Sequence, residues 1–147
     1  MSPFFNCFNK NEYNNSEKRG DKMLDNFSDY EKSMVVELYN RILGSNKNLQ
    51  INYIKNKINL KKKKANISMS NEELINYFSF KTFSEKKTIY FYIVYLVLSL
   101  NEQTTTQYEL LEKMRNSYLI SQNKKRILYK LAYEKIDFEE KIELNLK

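Results

Sequence analysis

The segment Ile89 to Leu98, IYFYIVYLVL, is an unbroken run of apolar and aromatic residues, and it decides the fold. Such a run must be buried on most sides. It is too short to cross a bilayer, which requires about 20 apolar residues. Its β-branched and aromatic residues would also suit a central strand. We predict a helix, because Ser84-Glu85-Lys86-Lys87 is a suitable helix start and no partner strands are visible nearby.

Two helices are predicted before this run, and they form a hairpin. The first begins at Ser28, which has the capping-box spacing to Glu31, and it ends at Gly44. Its apolar residues recur at the spacing of one helical face: Met34, Val35, Leu38, Ile42 and Leu43. The second helix is predicted from Leu49 to Leu60. The same spacing is repeated there by Ile51, Ile54 and Ile58, with Tyr53 as a further candidate.

Three more helices are predicted around and after the central run. Ser70 is a suitable N-cap for a short helix with an acidic first turn. A helix from Thr106 to Ile120 follows a polar loop, and Ser121 caps the next one. The residues predicted to point inward are Tyr108, Leu110, Leu111, Met114 and Tyr118, then Ile127, Leu128, Leu131 and Ala132. The segment from Asp137 to Lys147 stays open between a last short helix and coil.

The composition agrees with helices. The chain has only two Gly and one Pro, too few for the tight turns of a β protein. Aromatic residues make up 14% of the chain, whereas disordered chains are poor in them. We therefore expect an all-α fold, a compact bundle of about six or seven helices with two pseudo-repeated helical units. We expect a flexible arm at 1–27 and a single helical domain at 28–147.

The sequence lacks the residues of the commonest catalytic and metal sites. There is no His, Cys7 is the single cysteine, and the acidic residues are scattered. Zinc sites, His-based triads and internal disulfides are therefore excluded. We expect no enzyme activity and no cofactor. The first residues fit neither a signal peptide nor a myristoylation pattern, so we expect a cytoplasmic protein without an integral membrane segment.

The formal net charge of +7 would suit a polyanionic partner such as a nucleic acid. Two basic clusters supply the candidate contacts: Lys61, Lys62, Lys63, Lys64, Lys124, Lys125 and Arg126. Under this hypothesis Thr106 to Met114 and Ser121 to Tyr133 are the two helices of a helix-turn-helix. The connection from Arg115 to Ser121 is longer than the usual three or four residues of that motif unless the preceding helix continues past Arg115. The alternative is that both clusters are ordinary solvated basic faces.

A protein partner is the other hypothesis, and it is the one we favour. The chain would then act as a non-catalytic binding or adaptor module. Protein partners are usually engaged by an exposed apolar or aromatic patch. The candidate contacts visible in the sequence are Phe4, Phe5 and Phe8 in the arm.

The order of helices from Ser28 to Glu134 resembles the TerB-like family, which is named for tellurite resistance. The closest local match runs from Ile93 to Leu131 and includes Leu110-Leu111-Glu112-Lys113-Met114. The two halves of the chain also resemble each other, as that family's paired helical units do. Ile42-Leu43-Gly44-Ser45-Asn46 matches Val97-Leu98-Ser99-Leu100-Asn101 in position, each at the end of a predicted helix.

The resemblance implies a compact helical bundle that is not an enzyme and that serves in stress response or in phage defence. Some members of the family bind metal through an acidic loop of the Asp-Gly-Glu type. This chain has Asn101-Glu102-Gln103 at one such place and Asn46-Lys47-Asn48 at the other. These loops supply too few carboxylates for a hard cation, so we expect no metal site.

Overall fold

The computed structural model describes residues 21–44, 47–99 and 105–146. These residues form six α-helices and no strand, which confirms the predicted all-α fold. The helices are α1 (Asp29–Leu43), α2 (Lys47–Lys57), α3 (Asn71–Tyr77), α4 (Phe83–Leu98), α5 (Thr105–Ser117) and α6 (Gln122–Leu146). Among the helices so described, none is long and apolar enough to cross a membrane. The chain divides into two compact units, the first ending at Met69 and the second beginning at Ser70.

In the first unit α1 packs against α2. The predicted capping box starts α1, because the Ser28 hydroxyl accepts the Glu31 N–H at 3.1 Å and the Glu31 carboxylate accepts the Ser28 N–H at 3.0 Å. Gly44 ends the helix with a φ of 78°, a value that glycine adopts without strain. The core of this unit consists of Leu24, Phe27, Met34, Val35, Val36, Leu38, Tyr39, Ile42, Ile54, Ile58, Leu60 and Ile67.

Packed structure begins before Ser28. Leu24 and Phe27 are buried, and the Asp21 N–H donates to the Lys57 carbonyl at 2.6 Å. Residues 21–27, the end of the predicted flexible arm, therefore belong to the first unit. Burial removes their two apolar side chains from water, and this stabilises the packing of the short segment against the helices.

In the second unit α4 packs against both α5 and α6, and α3 packs against α5. Every residue from Ile89 to Leu98 is buried in a helix, as predicted. The N-cap of α4 is Thr82 and not Ser84, because Thr82 stands three residues before Glu85. Their side chains form a second capping box, with both hydrogen bonds at 3.1 Å.

Helices α2 and α5 end in the same way, three residues before their predicted ends. The chain turns left-handed at Asn59 and Leu119, with φ values of 61° and 57°. The next residue then donates back into the helix, Leu60 N–H to Lys55 O at 2.8 Å in α2 and the equivalent bond at 3.0 Å in α5. This pattern is the Schellman motif, which satisfies the last carbonyls of a helix. Neither position carries the glycine by which the motif is usually found.

Three residues predicted for apolar helical faces are exposed, and the first is Tyr53 of α2, which is 48% exposed. Tyr108 is 51% exposed and Ile127 is 43% exposed, and these two predictions were wrong. Gln107 is buried beside Tyr108, where its amide side chain was expected to face solvent. The other residues predicted to point inward from the helices of Tyr108 and Ile127 confirm the two faces: Leu110, Leu111, Met114, Tyr118, Leu128 and Ala132 are buried, and Leu131 is half-buried.

The segment that begins at Asp137, for which the sequence left helix and coil open, is helical as far as Leu146. Helix α6 continues to Leu146 and carries a buried charge pair against α4. The Tyr95 hydroxyl donates to Glu139 Oε1 at 2.5 Å, and Lys135 Nζ donates to Glu139 Oε2 at 3.3 Å. Lys135 Nζ also lies 4.6 Å from the centre of the Tyr95 ring. A buried lysine is thus paired with a carboxylate and an aromatic face, as burial of a charge requires.

Candidate binding surfaces

The predicted basic cluster of the first unit follows the end of α2. Lys61, Lys62 and Lys63 are exposed, and Lys62 Nζ lies 3.6 Å from a carboxylate oxygen of Asp29. Such an exposed ion pair contributes little to the stability of the fold. Three of the four lysines are therefore accessible to an anionic partner.

Lys64 serves the packing of the unit instead. Its Nζ donates to Glu37 Oε1 at 2.8 Å, and Glu37 also accepts a hydrogen bond from Arg41 at 2.8 Å. Burial would raise the pKa of Glu37, but the bonds from Lys64 and Arg41 outweigh it and hold that pKa below its usual value. A lysine that stabilises a part-buried carboxylate cannot leave it for a partner without cost.

The predicted basic cluster of the second unit lies at the start of α6. Ser121 caps this helix as predicted, because its hydroxyl accepts the Lys124 N–H at 3.0 Å. Arg126 is exposed and Lys124 is half-buried. The structure places this cluster and the cluster of lysines 61–64 in different units.

Lys125, in the same cluster, is engaged within the unit. Its Nζ donates to the Tyr108 hydroxyl at 2.8 Å and lies 3.4 Å from Glu112 Oε1. Burial would lower the pKa of Lys125, but the bond to Tyr108 and the charge of Glu112 raise it. Glu112 is also held by Arg115 at 2.8 Å. Each unit therefore contains a glutamate clamped between an arginine and a lysine of a predicted basic cluster.

The connection between α5 and α6 has the length of a helix-turn-helix. Helix α5 continues past Arg115 to Ser117, so only Tyr118 to Ser121 separate it from α6. The preceding helix therefore does continue past Arg115, and the length of the connection does not count against a helix-turn-helix. Beyond this turn, the side chains of Gln122, Asn123, Arg126 and Lys130 are exposed.

An exposed aromatic turn connects α3 to α4, and the sequence analysis missed it. We call residues 80–83 the aromatic turn. Phe80 is 93% exposed and Phe83 is 47% exposed. Lys87 Nζ lies 4.6 Å from the centre of the Phe83 ring, and Lys86 Nζ lies 5.9 Å from it. The available signal was a phenylalanine between Phe78, the C-cap of α3, and Thr82, the N-cap of α4, where it belongs to the face of neither helix.

The backbone on either side of the aromatic turn is hydrogen-bonded. The Ser79 hydroxyl donates to the Asn76 carbonyl at 2.6 Å, and the Lys81 N–H donates to the Phe78 carbonyl at 3.0 Å. The capping box of Thr82 then fixes the entry into α4. The phenylalanines are thus presented on a backbone whose polar groups are hydrogen-bonded at both ends.

Three buried tyrosines have raised pKa values. Burial raises the pKa of Tyr39, Tyr90 and Tyr118, so these hydroxyls stay protonated. Within residues 21–44, 47–99 and 105–146, no group of three or more His, Cys, Asp or Glu side chains is placed to hold a metal ion. A cavity of about 280 Å³ is lined by Val97, Leu98, Thr105, Gln107, Tyr108, Leu111 and Tyr129.

Phe4, Phe5 and Phe8, the contacts predicted for a protein partner, lie outside the described residues. The TerB-like resemblance stays a prediction, and the function must be argued from the surfaces of the two units. Comparison with protein-family models, with curated proteins and with solved structures found no match to this chain.

Proposed function

We propose that this chain is a non-catalytic helical binding module whose partner is a protein, and that the aromatic turn is its docking point. The observation that carries the proposal is the 93% exposure of Phe80. Burying a phenylalanine side chain in a partner contributes about 1.5–3 kcal/mol. Large aromatic side chains at the centre of an interface supply much of its binding energy.

The surroundings of Phe80 favour a docking role. Because the turn is hydrogen-bonded on both sides, little conformational entropy is lost when a partner immobilises it. Lys86 and Lys87 stand next to Phe83 and add positive charge beside the apolar tip. A partner with an aromatic-accepting pocket and carboxylates at its rim would complement both features.

The TerB-like resemblance supports the wider role that we assign to this module. We place it as an adaptor in stress response or in the conflict between a phage and its host. In this role the chain contributes a surface and no chemistry. The raised pKa values of Tyr39 and Tyr90 are consistent with such a role, since these two hydroxyls are not activated as nucleophiles.

Site-specific photo-crosslinking tests the docking point. A benzophenone amino acid is placed at Phe80 in cells that express the natural chain, and at Tyr108 as the control, since Tyr108 is also an exposed aromatic residue of the second unit. We expect a discrete protein adduct from position 80 that disappears when Phe83→Ala is added. Adducts from position 108 alone, or from neither position, would overturn the proposal.

A nucleic-acid partner is the second candidate, and the short connection between α5 and α6 favours it. The exposed side chains at the start of α6 are of the types that contact bases and phosphates. Fluorescent DNA and RNA are titrated at two salt concentrations. We compare Lys124→Gln/Arg126→Gln with the charge-matched control Lys113→Gln/Lys141→Gln, whose lysines are exposed elsewhere on α5 and α6.

Salt-sensitive binding that only the first variant loses would support this candidate over the protein partner. Equal losses in both variants would indicate general charge attraction. Two single variants, Lys63→Gln and Lys64→Gln, complete the test for the first unit. Lys64 is held by Glu37, so its loss should affect stability while the loss of Lys63 should affect only binding.

A further inference from the structure

We infer that the first unit contains a pocket for a small phosphate-bearing ligand of mononucleotide size, at the end of α2. The pocket has a volume of about 310 Å³. It is lined by Asn52, Lys55, Asn56, Asn59, Leu60 and Lys61. This inference is independent of the aromatic turn, which lies in the other unit.

The lining of the pocket is suited to an anion. Of the described residues, three asparagines and two lysines line it and no acidic residue does. Asp21 and Asp25 lie near one wall, but each is paired with a cation: Asp21 Oδ2 lies 4.0 Å from Lys57 Nζ, and Asp25 Oδ1 lies 3.8 Å from Lys32 Nζ. Lys55 and Lys61 would each donate charged hydrogen bonds, which phosphate oxygens accept strongly.

The C-terminal end of a helix normally repels anions, because its last carbonyls point outward. Here those carbonyls already accept backbone hydrogen bonds. The carbonyls of Ile54, Lys55 and Asn56 accept the N–H groups of Ile58, Leu60 and Asn59 at 3.0, 2.8 and 3.3 Å. The Schellman motif therefore reduces the negative potential at the mouth of the pocket and leaves the ammonium and amide groups to face a ligand.

One wall of the pocket is held in place. The Asn59 amide nitrogen donates to the Asp21 carbonyl at 2.9 Å and to Asp25 Oδ1 at 3.3 Å. These bonds fix the Asn59 side chain and use both of its N–H groups. The side-chain donors that remain for a phosphate are those of Lys55, Lys61, Asn52 and Asn56. The left-handed backbone of Asn59 directs the chain from α2 into Lys61, which brings the second ammonium group to the same pocket as Lys55.

The volume selects the size of the ligand. A water molecule takes about 30 Å³ of liquid, so a pocket of 310 Å³ is much larger than an inorganic phosphate needs. It is at the lower end of the range of small-molecule sites. Carboxamides also pair with the polar edges of bases and sugars. A nucleoside monophosphate matches both the charge and the size.

The test is a calorimetric titration of the full chain at fixed ionic strength with inorganic phosphate, with adenosine monophosphate and with a short oligothymidylate. We expect the monophosphate to bind more tightly than inorganic phosphate. Lys55→Gln/Lys61→Gln should weaken this binding by at least about tenfold. The charge-matched control Lys62→Gln/Lys63→Gln alters lysines outside the lining and should leave it unchanged.

Circular dichroism verifies that both variants keep their helical content, and Asn52→Leu tests the carboxamides without any change in charge. The side-chain amide signal of Asn59 in an NMR titration should shift with the monophosphate. Equal weakening by both lysine pairs, or no monophosphate binding, would overturn the inference. Binding of the oligothymidylate alone would also overturn it, in favour of a nucleic-acid surface.

Discussion

Tyr39 and Tyr118 are both fully buried, but their hydroxyl groups have different surroundings. The Tyr118 hydroxyl donates to the Ile75 carbonyl at 3.0 Å. The Tyr39 hydroxyl has no hydrogen-bond partner among the residues that the structure describes. A buried polar group without a partner is destabilising by about 1–3 kcal/mol. Two tyrosines of equal burial should therefore respond in opposite ways to loss of the hydroxyl.

We predict that Tyr39→Phe leaves the free energy of unfolding unchanged or raises it by up to about 1 kcal/mol, because it removes an unpaired polar group. Tyr118→Phe should lower it by about 1–2 kcal/mol, because the buried hydrogen bond from the Tyr118 hydroxyl to the Ile75 carbonyl is lost. Urea denaturation followed by circular dichroism measures both. A larger loss for Tyr39→Phe than for Tyr118→Phe would contradict the prediction.

At the residue scale the sequence could indicate which residues are basic but not which are accessible. Lys63 and Lys64 are adjacent in an unbroken run, yet the first is exposed and the second binds Glu37. That difference depends on Glu37, which is far away in the sequence. Phe80 was missed for the same reason, since its exposure follows from where α3 ends and α4 begins.

At the element scale the two Schellman motifs differ in the residue that adopts the left-handed conformation. Asparagine tolerates this conformation, whereas for leucine it costs about 1–2 kcal/mol. Leu119 is also 79% exposed, so its side chain adds little packing. The end of α5 is therefore strained at a residue that glycine would relieve.

Leu119→Gly should raise the free energy of unfolding by about 0.5–1 kcal/mol, after allowance for the greater freedom of glycine in the unfolded chain. Asn59→Gly is the matched control in α2. It should lower stability, because the Asn59 side chain loses its bonds to Asp21 and Asp25. Thermal denaturation compares the two. A stabilising Asn59→Gly or a destabilising Leu119→Gly would show that strain does not govern these helix ends.

The contact between α4 and α6 depends on a buried charge pair. Glu139→Gln keeps an oxygen for the Tyr95 hydroxyl but leaves the charge of Lys135 poorly compensated. We expect a loss of roughly 2–3 kcal/mol in unfolding free energy, as for a buried ion that loses its partner.

The double variant Lys135→Met/Glu139→Gln separates this loss from a change in packing. It removes both charges, so it should recover much of the stability lost in Glu139→Gln alone. Chemical denaturation measures the unfolding free energy of the natural chain, of each single variant and of the double variant. If the double variant is as unstable as the sum of the single changes, the two side chains do not act as a pair.

The sequence predicted the helices better than their ends and faces. Capping signals at Ser28, Ser70 and Ser121 were found because they are local. The ends of α2 and α5 were placed too late, because a left-handed residue other than glycine leaves no signal in the sequence. The burial of Gln107 in α5 was missed because it depends on residues far away in the chain.

At the scale of the whole molecule, stability should fall at both extremes of pH. Glu37 and Glu112 have pKa values held below the ordinary range, because hydrogen bonds from neighbouring cations outweigh the effect of burial. Their contribution to the free energy of unfolding is present above the ordinary glutamate pKa of about 4.3. It is lost as the pH falls through the lower pKa that each glutamate has in the folded chain. The buried tyrosines have raised pKa values, so their contribution is lost as the pH rises above about 10.

We therefore predict a plateau of unfolding free energy around neutral pH with a decline on each side. Glu37→Gln/Glu112→Gln should lower the plateau and make the acid decline shallower, while leaving the alkaline decline unchanged. Urea denaturation across the pH range measures all three features. An acid decline equally steep in the double variant would show that other carboxylates govern acid unfolding.

The fold class could be predicted from the sequence because one apolar run and several capping signals agree with each other. The function could not, because binding surfaces depend on exposure and on distant neighbours. The expected contacts Phe4, Phe5 and Phe8 stay a prediction, and the aromatic turn and the pocket beside Lys61 became visible only with the coordinates.

The pairing of Lys135 with Glu139 and Tyr95 also limits how the chain can evolve in length. Deleting one residue of α6 between Leu128 and Lys135 would rotate everything after it by about 100°. Lys135 and Glu139 would then leave Tyr95, and other side chains would face α4. Insertions and deletions should therefore be rare between Leu128 and Glu139 and tolerated after Ile142, where the side chains that follow are exposed.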